Sequence, residues 1–386
     1  MTPLGRTLLV FGLLGAVAAT AAPRLSVSVA ARPKVLEAGA FWQATLVVRQ
    51  DGLPLAGARP SLVIAKGGVR RSFPARAVKA GLYRARVAFP SAGRWTYSAR
   101  LGRKSFRLGA VTVRERPVRL VTAADVVVAA DGSLVVADVQ GNQVVRLAGQ
   151  SLRRLARLEF AVEVALDPRG GVAVVTEERR VQHIAGGRVR TIAGTTTSGF
   201  SGDGGAATAA QLDQPTSIAY DAVGNLFITE LGGRIRRVDA ASATIDTYAG
   251  VGGQGYGGDG GPASRAQLDR PHGLAVAADG TVYFGDTFNN RIRRIGPDGM
   301  ISTVVSGLST PNDVALGPDG LYATDYGNNR LLRIDPERGS VATVATASGP
   351  NSVAVAPDRT VYATERTNPW VLRIDPTTGA TTRLPR

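Results

Sequence analysis

Six times over its last two-thirds, this chain repeats a pattern about 40 residues long. Each copy has an apolar strand, an Asp/Gly turn, a second strand ending in an acid, a third strand with a late basic residue, and a Thr- or Val-rich fourth strand. First-strand anchors fall at Val127, Ala165, Ala219, Ala275, Ala315 and Ala354, with spacings of 38, 54, 56, 40 and 39. The second strands end at Asp138, Glu177, Glu230, Asp286, Asp325 and Glu365. The third strands carry Arg146, His183, Arg237, Arg294, Arg333 and Arg373 in register. A four-stranded unit of this length cannot bury its own sheet faces. It buries them against its neighbours, and closing the row into a ring removes the exposed ends. The expectation is an all-β chain whose residues 117–386 form a six-bladed β-propeller. Seven segments qualify as fourth strands, counting 118–122 and 380–385, so the end that closes the ring stays open.

Two related insertions explain the long spacings. They read GFSGDGG (199–205) and GYGGDGG (255–261), each followed by Ala-Gln-Leu-Asp. Neither has the Lys-Ser/Thr or the strand-to-helix context of a phosphate-binding loop. Asp203 and Asp259 read as residues that fix tight turns. The runs DTFNNRIRRI (286–295) and DYGNNRLLRI (325–334) resemble the core of NHL repeats, as does GDGG…AQLDQP (202–215). The resemblance extends over about 270 residues, is sharpest in blades three to six, and implies an NHL-type propeller like those of exported bacterial proteins.

Charge separates the propeller from what precedes it. Residues 24–116 hold 19 Lys+Arg and 3 Asp+Glu, whereas residues 117–386 hold 26 Arg, no Lys and 27 Asp+Glu. Two segments so different in electrostatics read as two domains. In the first, apolar and polar residues alternate along 25–29, 41–48 and 83–89, and turn-forming Gly pairs intervene. About seven strands in such a length suggest a β-sandwich over residues 22–116, with Trp42 and Trp95 in its core. The stretch 80–101 resembles the immunoglobulin-like sandwiches of exported bacterial proteins, without the cysteine pair of antibody domains.

Residues 1–21 read as a secretory signal: Arg6, an apolar run from Leu8 to Ala19, then Ala19-Thr20-Ala21 as the cleavage pattern. No other stretch is long and apolar enough for a membrane helix, so no transmembrane segment is expected once the signal is removed. The expected location is periplasmic or extracellular. The chain has no cysteine, which removes disulfides, thiolate metal sites and cysteine nucleophiles together.

A feature repeated in every blade serves packing, while a single binding centre needs asymmetry. The second-strand acids and third-strand arginines therefore read as intra-blade ion pairs or turn-fixing hydrogen bonds, with His183 a structural variant. Blades differ where innermost strands open on the central channel. There Asp125, Glu163, His272, Asn312, Asp313 and Asn351 make a varied polar ring of candidate ligand-binding residues, rich in the oxygen ligands that Ca²⁺ and other hard divalent cations prefer. Pro311-Asn312-Asp313 and Pro350-Asn351 resemble gluconolactonase-type propellers. That resemblance implies Glu163, Asn312 and Asn351 as metal ligands and Asp313 as a general base. The family's Glu-Gly-Pro opening is Glu163-Val164-Ala165 here, and its later axial Asp has no match. With only two histidines, the multi-histidine zinc site of NHL-type amidating lyases is missing.

Two functional readings follow. One is a binding or scaffold module for a protein or an anionic envelope polymer, with no catalytic residue. The other is a metal-dependent lactonase- or esterase-like hydrolase at the axial site. Nucleic acid is not an expected partner, because the propeller is near neutral and export removes the chain from it.

Overall fold

The computed structural model describes residues 23–32, 36–38, 41–114 and 118–385. The expected signal, residues 1–21, lies outside them. The chain divides into two compact units, residues 1–117 and 118–386.

In the first unit, alternation sets the core. Along Phe41–Gln50, Trp42, Ala44, Leu46 and Val48 are buried while Phe41, Gln43 and Arg49 face solvent. Leu82–Ala88 buries Tyr83, Ala85 and Val87, and Gly93–Leu101 buries Trp95, Tyr97 and Ala99. Successive side chains of a strand point to opposite faces, so each strand commits one face inward. One sheet orders Leu25–Val29, Phe41–Gln50, Leu82–Ala88 and Arg76–Lys79, with Leu53–Pro54 added to the second of these. The other orders Leu36–Glu37, Lys104–Arg114, Gly93–Leu101, Ser61–Lys66 and Val69–Pro74. Both contribute to one core, where Trp42 meets Tyr97 edge-on at 5.2 Å and Phe89 meets Trp95 at 6.0 Å. The described residues hold ten strands rather than about seven, because short pairings such as Leu36–Glu37 and Leu53–Pro54 leave no alternation to read.

The second unit is a β-propeller. Each of its antiparallel sheets is built from four consecutive strands, and the sheets open with Ala123–Val128, Ala161–Leu166, Pro215–Tyr220, Pro271–Val276, Pro311–Gly317 and Pro350–Val355. These first strands touch their neighbours in chain order, and the last touches the first, closing the ring. Among the described residues, no strand is exchanged at the closure. Thr381–Leu384 pairs with Val371–Ile374 of its own sheet, whereas 118–122 forms no strand. Apolar packing joins the ends: Leu120, Val126 and Val136 share a cluster with Ala354, Val371 and Leu384.

The insertions shield sheet edges. Gly205–Ala206 pairs with Thr244–Ala249, adding a fifth strand to the third sheet. The second insertion lies against the outer strand of the fourth sheet, where Gly260 N–H donates to Ile301 O at 2.8 Å and Ile301 N–H to Gly261 O at 3.0 Å. Covering the edge in this way removes a template for pairing with another chain.

A fully buried arginine anchors each insertion. Arg293 donates to Asp286 at 3.2 Å, to Asp259 at 2.6 Å, and to the carbonyls of Gln267 and Gly257 at 2.9 Å each. Arg236 likewise bridges Glu230 and Asp203. Phe200 and Tyr256 cover these guanidiniums at 4.7 and 5.2 Å. Asp203 and Asp259 therefore hold arginines and the fourth-strand residues Thr247 and Thr303 as well as turning the chain.

The expected pairing of second-strand acids with the in-register arginines is corrected by strand parity. Asp286 lies opposite Arg291, so Arg293, two residues on, shares its face and Arg294 points to the other. Arg294 binds Glu337 at 2.7 Å, and Arg146 and Arg333 bind the turn residues Asp131 and Asp319 at 3.1 and 2.8 Å. His183, replacing the arginine, places Nε2 3.2 Å from Asp167. The second-strand acids do fix turns. Asp138, Glu230, Asp286, Asp325 and Glu365 accept backbone N–H groups of Thr122, Asp213, Asp269, Ser309 and Ser348, just before the first strand of the same sheet.

Candidate functional site

A bulge at the start of every first strand sets the channel's lining. The register shifts between Ala123 and Asp125 and at the matching place in the second, third and last sheets, between Pro311 and Val314 in the fifth, and one residue later, between His272 and Leu274, in the fourth. A bulge adds an unpaired residue and re-aims its neighbours. Here it turns one residue of each pair toward the channel mouth and the next toward the interior. Ala124, Val162, Thr216, His272, Asn312 and Asn351 line a mouth cavity of ≈ 540 Å³. Asp125, Glu163 and Asp313 line a deeper one of ≈ 260 Å³, and Glu163 reaches both.

Left-handed residues prepare this entry. Phe160, Gln214, Arg270 and Thr310 precede the first strands with φ of 49°, 55°, 49° and 46°. Such a φ is a steric outlier for β-branched threonine. The Asn142 and Asn290 side chains accept the N–H of Phe160 and Thr310 at 2.9 Å each, from the sheet before. Asn329 does the same for Gly349 at 2.8 Å. All three asparagines are themselves left-handed, which gives the second Asn of the NNR motif a physical role.

The interior ring is a set of links between sheets. Asp125 accepts the N–H of Val126 at 2.7 Å and that of Val164, in the next sheet, at 2.8 Å, and the Ser352 hydroxyl of the last sheet donates to it as well. Asp313 accepts the N–H of Val314 and of Val353, both at 2.8 Å. Ser217 donates to Glu163 at 2.7 Å. Burial raises the pKa of all three carboxyls. For Glu163 the charges of Asp125 and Asp313 add to burial, and its pKa lies well above the usual carboxylate range. Asp313 is raised well above its ordinary value by burial and then by Asp125.

The mouth ring is lopsided. Asn312 donates to Asn351 O at 2.8 Å and to its Oδ1 at 3.3 Å, and Asn351 donates to Ala124 O at 2.7 Å. Beside them, burial lowers His272 to about 4, so its imidazole is neutral at pH 7. Phe288, Tyr326 and Arg366 wall this side, with Arg366 donating to the Tyr326 hydroxyl at 3.1 Å. The opposite side has Ala124, Val139, Val162 and Thr216 together with two acids, Glu163 and Glu177. Sequence reasoning located the inner pairs but missed the wall. The wall residues follow the second-strand acids by one or two positions, a signal present in the repeat register.

The ring residues divide between the two layers. Asn312 and Asn351 meet directly, and Glu163 and His272 share their cavity. Asp125 and Asp313 lie deeper, with both oxygens of each accepting hydrogen bonds. As it stands, the donor set does not fit a divalent cation. Asn351 Oδ1 already accepts from Asn312, and burial with the neighbouring carboxylates raises the pKa of Glu163, which disfavours the charged form a cation needs. Among the described residues, no group of three or more His, Cys, Asp or Glu side chains is positioned to hold a metal ion.

The comparisons agree with the fold. Residues 249–310 match the family model of the Teneurin NHL domain. A chain of a nidogen/laminin complex superposes with a TM-score of 0.52 at 17% identity, covering 65% of this chain and 92% of that one. A gluconolactonase of Xanthomonas campestris superposes with a TM-score of 0.50 at 14% identity, covering 66% and 87%. No curated protein matches in sequence. At these identities the likeness defines the class, a β-propeller with NHL-like sequence in its fourth sheet.

Proposed function

We propose that the protein is an exported, six-bladed NHL-type propeller with an immunoglobulin-like domain ahead of it, and that it binds a protein or envelope ligand at the channel mouth. The lopsided mouth carries this reading. Repetition would place the same packing residues around the ring, yet His272, Asn312 and Asn351 lie together under Phe288, Tyr326 and Arg366, facing Val139 and Val162 beside the acids Glu163 and Glu177. An apolar-walled cavity with a few convergent polar groups is the usual form of a ligand site. The test is a thermal-shift survey of fractionated envelope components on the mature protein and on Phe288→Ala/Tyr326→Ala. A shift seen with the parent and lost in the variant supports the mouth as the site. A shift the variant keeps places binding elsewhere. Cell fractionation with N-terminal sequencing checks export and cleavage after Ala21.

A metal-dependent lactonase- or esterase-like hydrolase is the second reading, favoured by one observation: Glu163, Asn312 and Asn351 line one cavity. It requires the Asn312–Asn351 bond to open and Glu163 to lose its proton. Calcium- and zinc-dependent thermal shifts, with Glu163→Ala as control, decide it. A stoichiometric ion lost in the variant favours the hydrolase, and no ion at any pH up to 9 removes it.

A further inference from the structure

Among its described residues, the first unit carries a charge that no ion pair of its own neutralises. Its described residues include 14 Arg and 3 Lys against Glu37 and Asp51. All 17 cations are exposed except Lys66, whose ammonium lies 5.8 Å over the Trp95 ring and donates to Ala92 O. Every ion pair formed among the described residues lies in the propeller.

Sheet register sets these charges on two opposite surfaces. On one sheet, Arg76 and Arg84 are direct cross-strand partners, and Arg86 follows on the same outward face, away from buried Tyr83, Ala85 and Val87. Like charges placed opposite each other destabilise an antiparallel pair. On the other sheet, Arg94 and Arg100 point away from buried Trp95, Tyr97 and Ala99. Arg107 lies opposite outward Ser98, and Arg70 opposite Ala65.

We propose that the outer faces of both sheets bind a linear, phosphate-bearing polyanion through its backbone charge. Three observations select this partner. A flat lipid surface meets one face of a sandwich, whereas a flexible polymer reaches both. Of the described aromatic residues of this unit, Trp42, Tyr83, Phe89, Trp95 and Tyr97 are in the core, Phe73 and Phe106 pack half-buried against it, and exposed Phe41 is covered by Arg86 at 3.8 Å. Little ring surface is left for the base stacking by which single-stranded nucleic acid is held. The cations are mostly Arg, whose fork matches phosphate oxygens in pairs, and a dense polyanion releases the most counterions on binding.

The test uses the full chain and long-chain inorganic polyphosphate as the probe, with affinity measured across a salt series. Log affinity should fall linearly with log salt. Arg76→Gln/Arg84→Gln/Arg86→Gln on one face and Arg70→Gln/Arg100→Gln/Arg107→Gln on the other should each lower that slope by about 2, at roughly 0.7 per lost contact. An unchanged melting transition in each variant shows that folding is not the cause. The proposal is overturned by a loss confined to one face, by binding indifferent to salt, or by tighter binding to anionic vesicles, to a polyuronate or to single-stranded DNA than to polyphosphate.

Discussion

The Asp313 carboxylate accepts the backbone N–H of Val353, one sheet further round the ring, at 2.8 Å. Asp125 does the same for Val164. These links tie neighbouring sheets where their first strands crowd the axis, so two of the residues expected to bind ligand also hold the ring.

Asp125→Ala would leave the buried N–H of Val164 and the Ser352 hydroxyl short of an acceptor, and Val126 N–H with only its 3.3 Å contact to Ser352 Oγ. At about 1–3 kcal/mol for each unsatisfied buried group, a loss of about 3 kcal/mol is expected in denaturant unfolding of the propeller. Asp125→Asn, which keeps one acceptor oxygen, should recover part of it.

The raised carboxyls give stability a pH dependence of defined sign. Glu163 and Asp313 bind protons more tightly when folded than when unfolded, so unfolding releases protons and stability falls as pH rises through their folded pKa values. The contribution of these two carboxyls should therefore increase on acidification from pH 8 toward the ordinary carboxylate range near 4.5, opposed below about pH 6.5 by His272, whose folded pKa is lowered to about 4. Glu163→Gln keeps an acceptor for Ser217 and removes the charge. Its melting temperature should exceed the parent's at pH 8 and converge with it near pH 5. A parallel pH profile for the variant would contradict the assignment.

Gly273 has φ +54°, and a Cβ there would lie 2.5 Å from Asp313 Cα and 2.8 Å from Val314 N. Backbone cannot move aside as a flexible side chain can, so Gly273→Ala should cost about 3 kcal/mol or more. Gly280, at φ +91° with nothing within 4 Å of its Cβ position, isolates the conformational part. Gly280→Ala should cost about 1–2 kcal/mol. Equal losses in the two variants would refute the close approach.

Arg293→Met would strand the buried Asp286 carboxylate and free the second insertion from Asp259. Removing one partner of a buried pair costs about 3–5 kcal/mol. The matching readout is limited proteolysis, with new cleavage between residues 255 and 268. Asp259→Asn leaves the Arg293–Asp286 contact in place and should lose less.

Much of the fold was legible because repetition multiplies a weak signal. One four-stranded unit is ambiguous, but six aligned copies place first strands and second-strand acids within a residue or two. The arginine partner was misplaced because the register of Arg294 is easy to align, while its face depends on whether it lies an even or odd number of residues from the strand end. Ring closure was undecidable for a related reason: 118–122 and 380–385 each combine a Leu and an Arg with β-branched residues, and only the pairing of Thr381–Leu384 with Val371–Ile374 separates strand from approach. The mouth was half legible. Asn312 and Asn351 stand out by position, but a bulge decides whether a residue faces the mouth or the interior, and no residue type marks these bulges.

The sequence by itself determined the all-β character, the repeat of sheets, the division of charge between two segments and the polar pairs that open the first strands. These are local or periodic properties, set by side-chain alternation, turn residues and composition. The tertiary structure decided which acids serve as links, which arginines are buried and how polar groups are distributed around the mouth. Each of those depends on what a neighbouring sheet brings within about 3 Å, since a hydrogen bond forms only at that range. Residues 40 or 227 positions apart, such as Asp313 and Val353 or Asp125 and Ser352, become partners only when the ring closes.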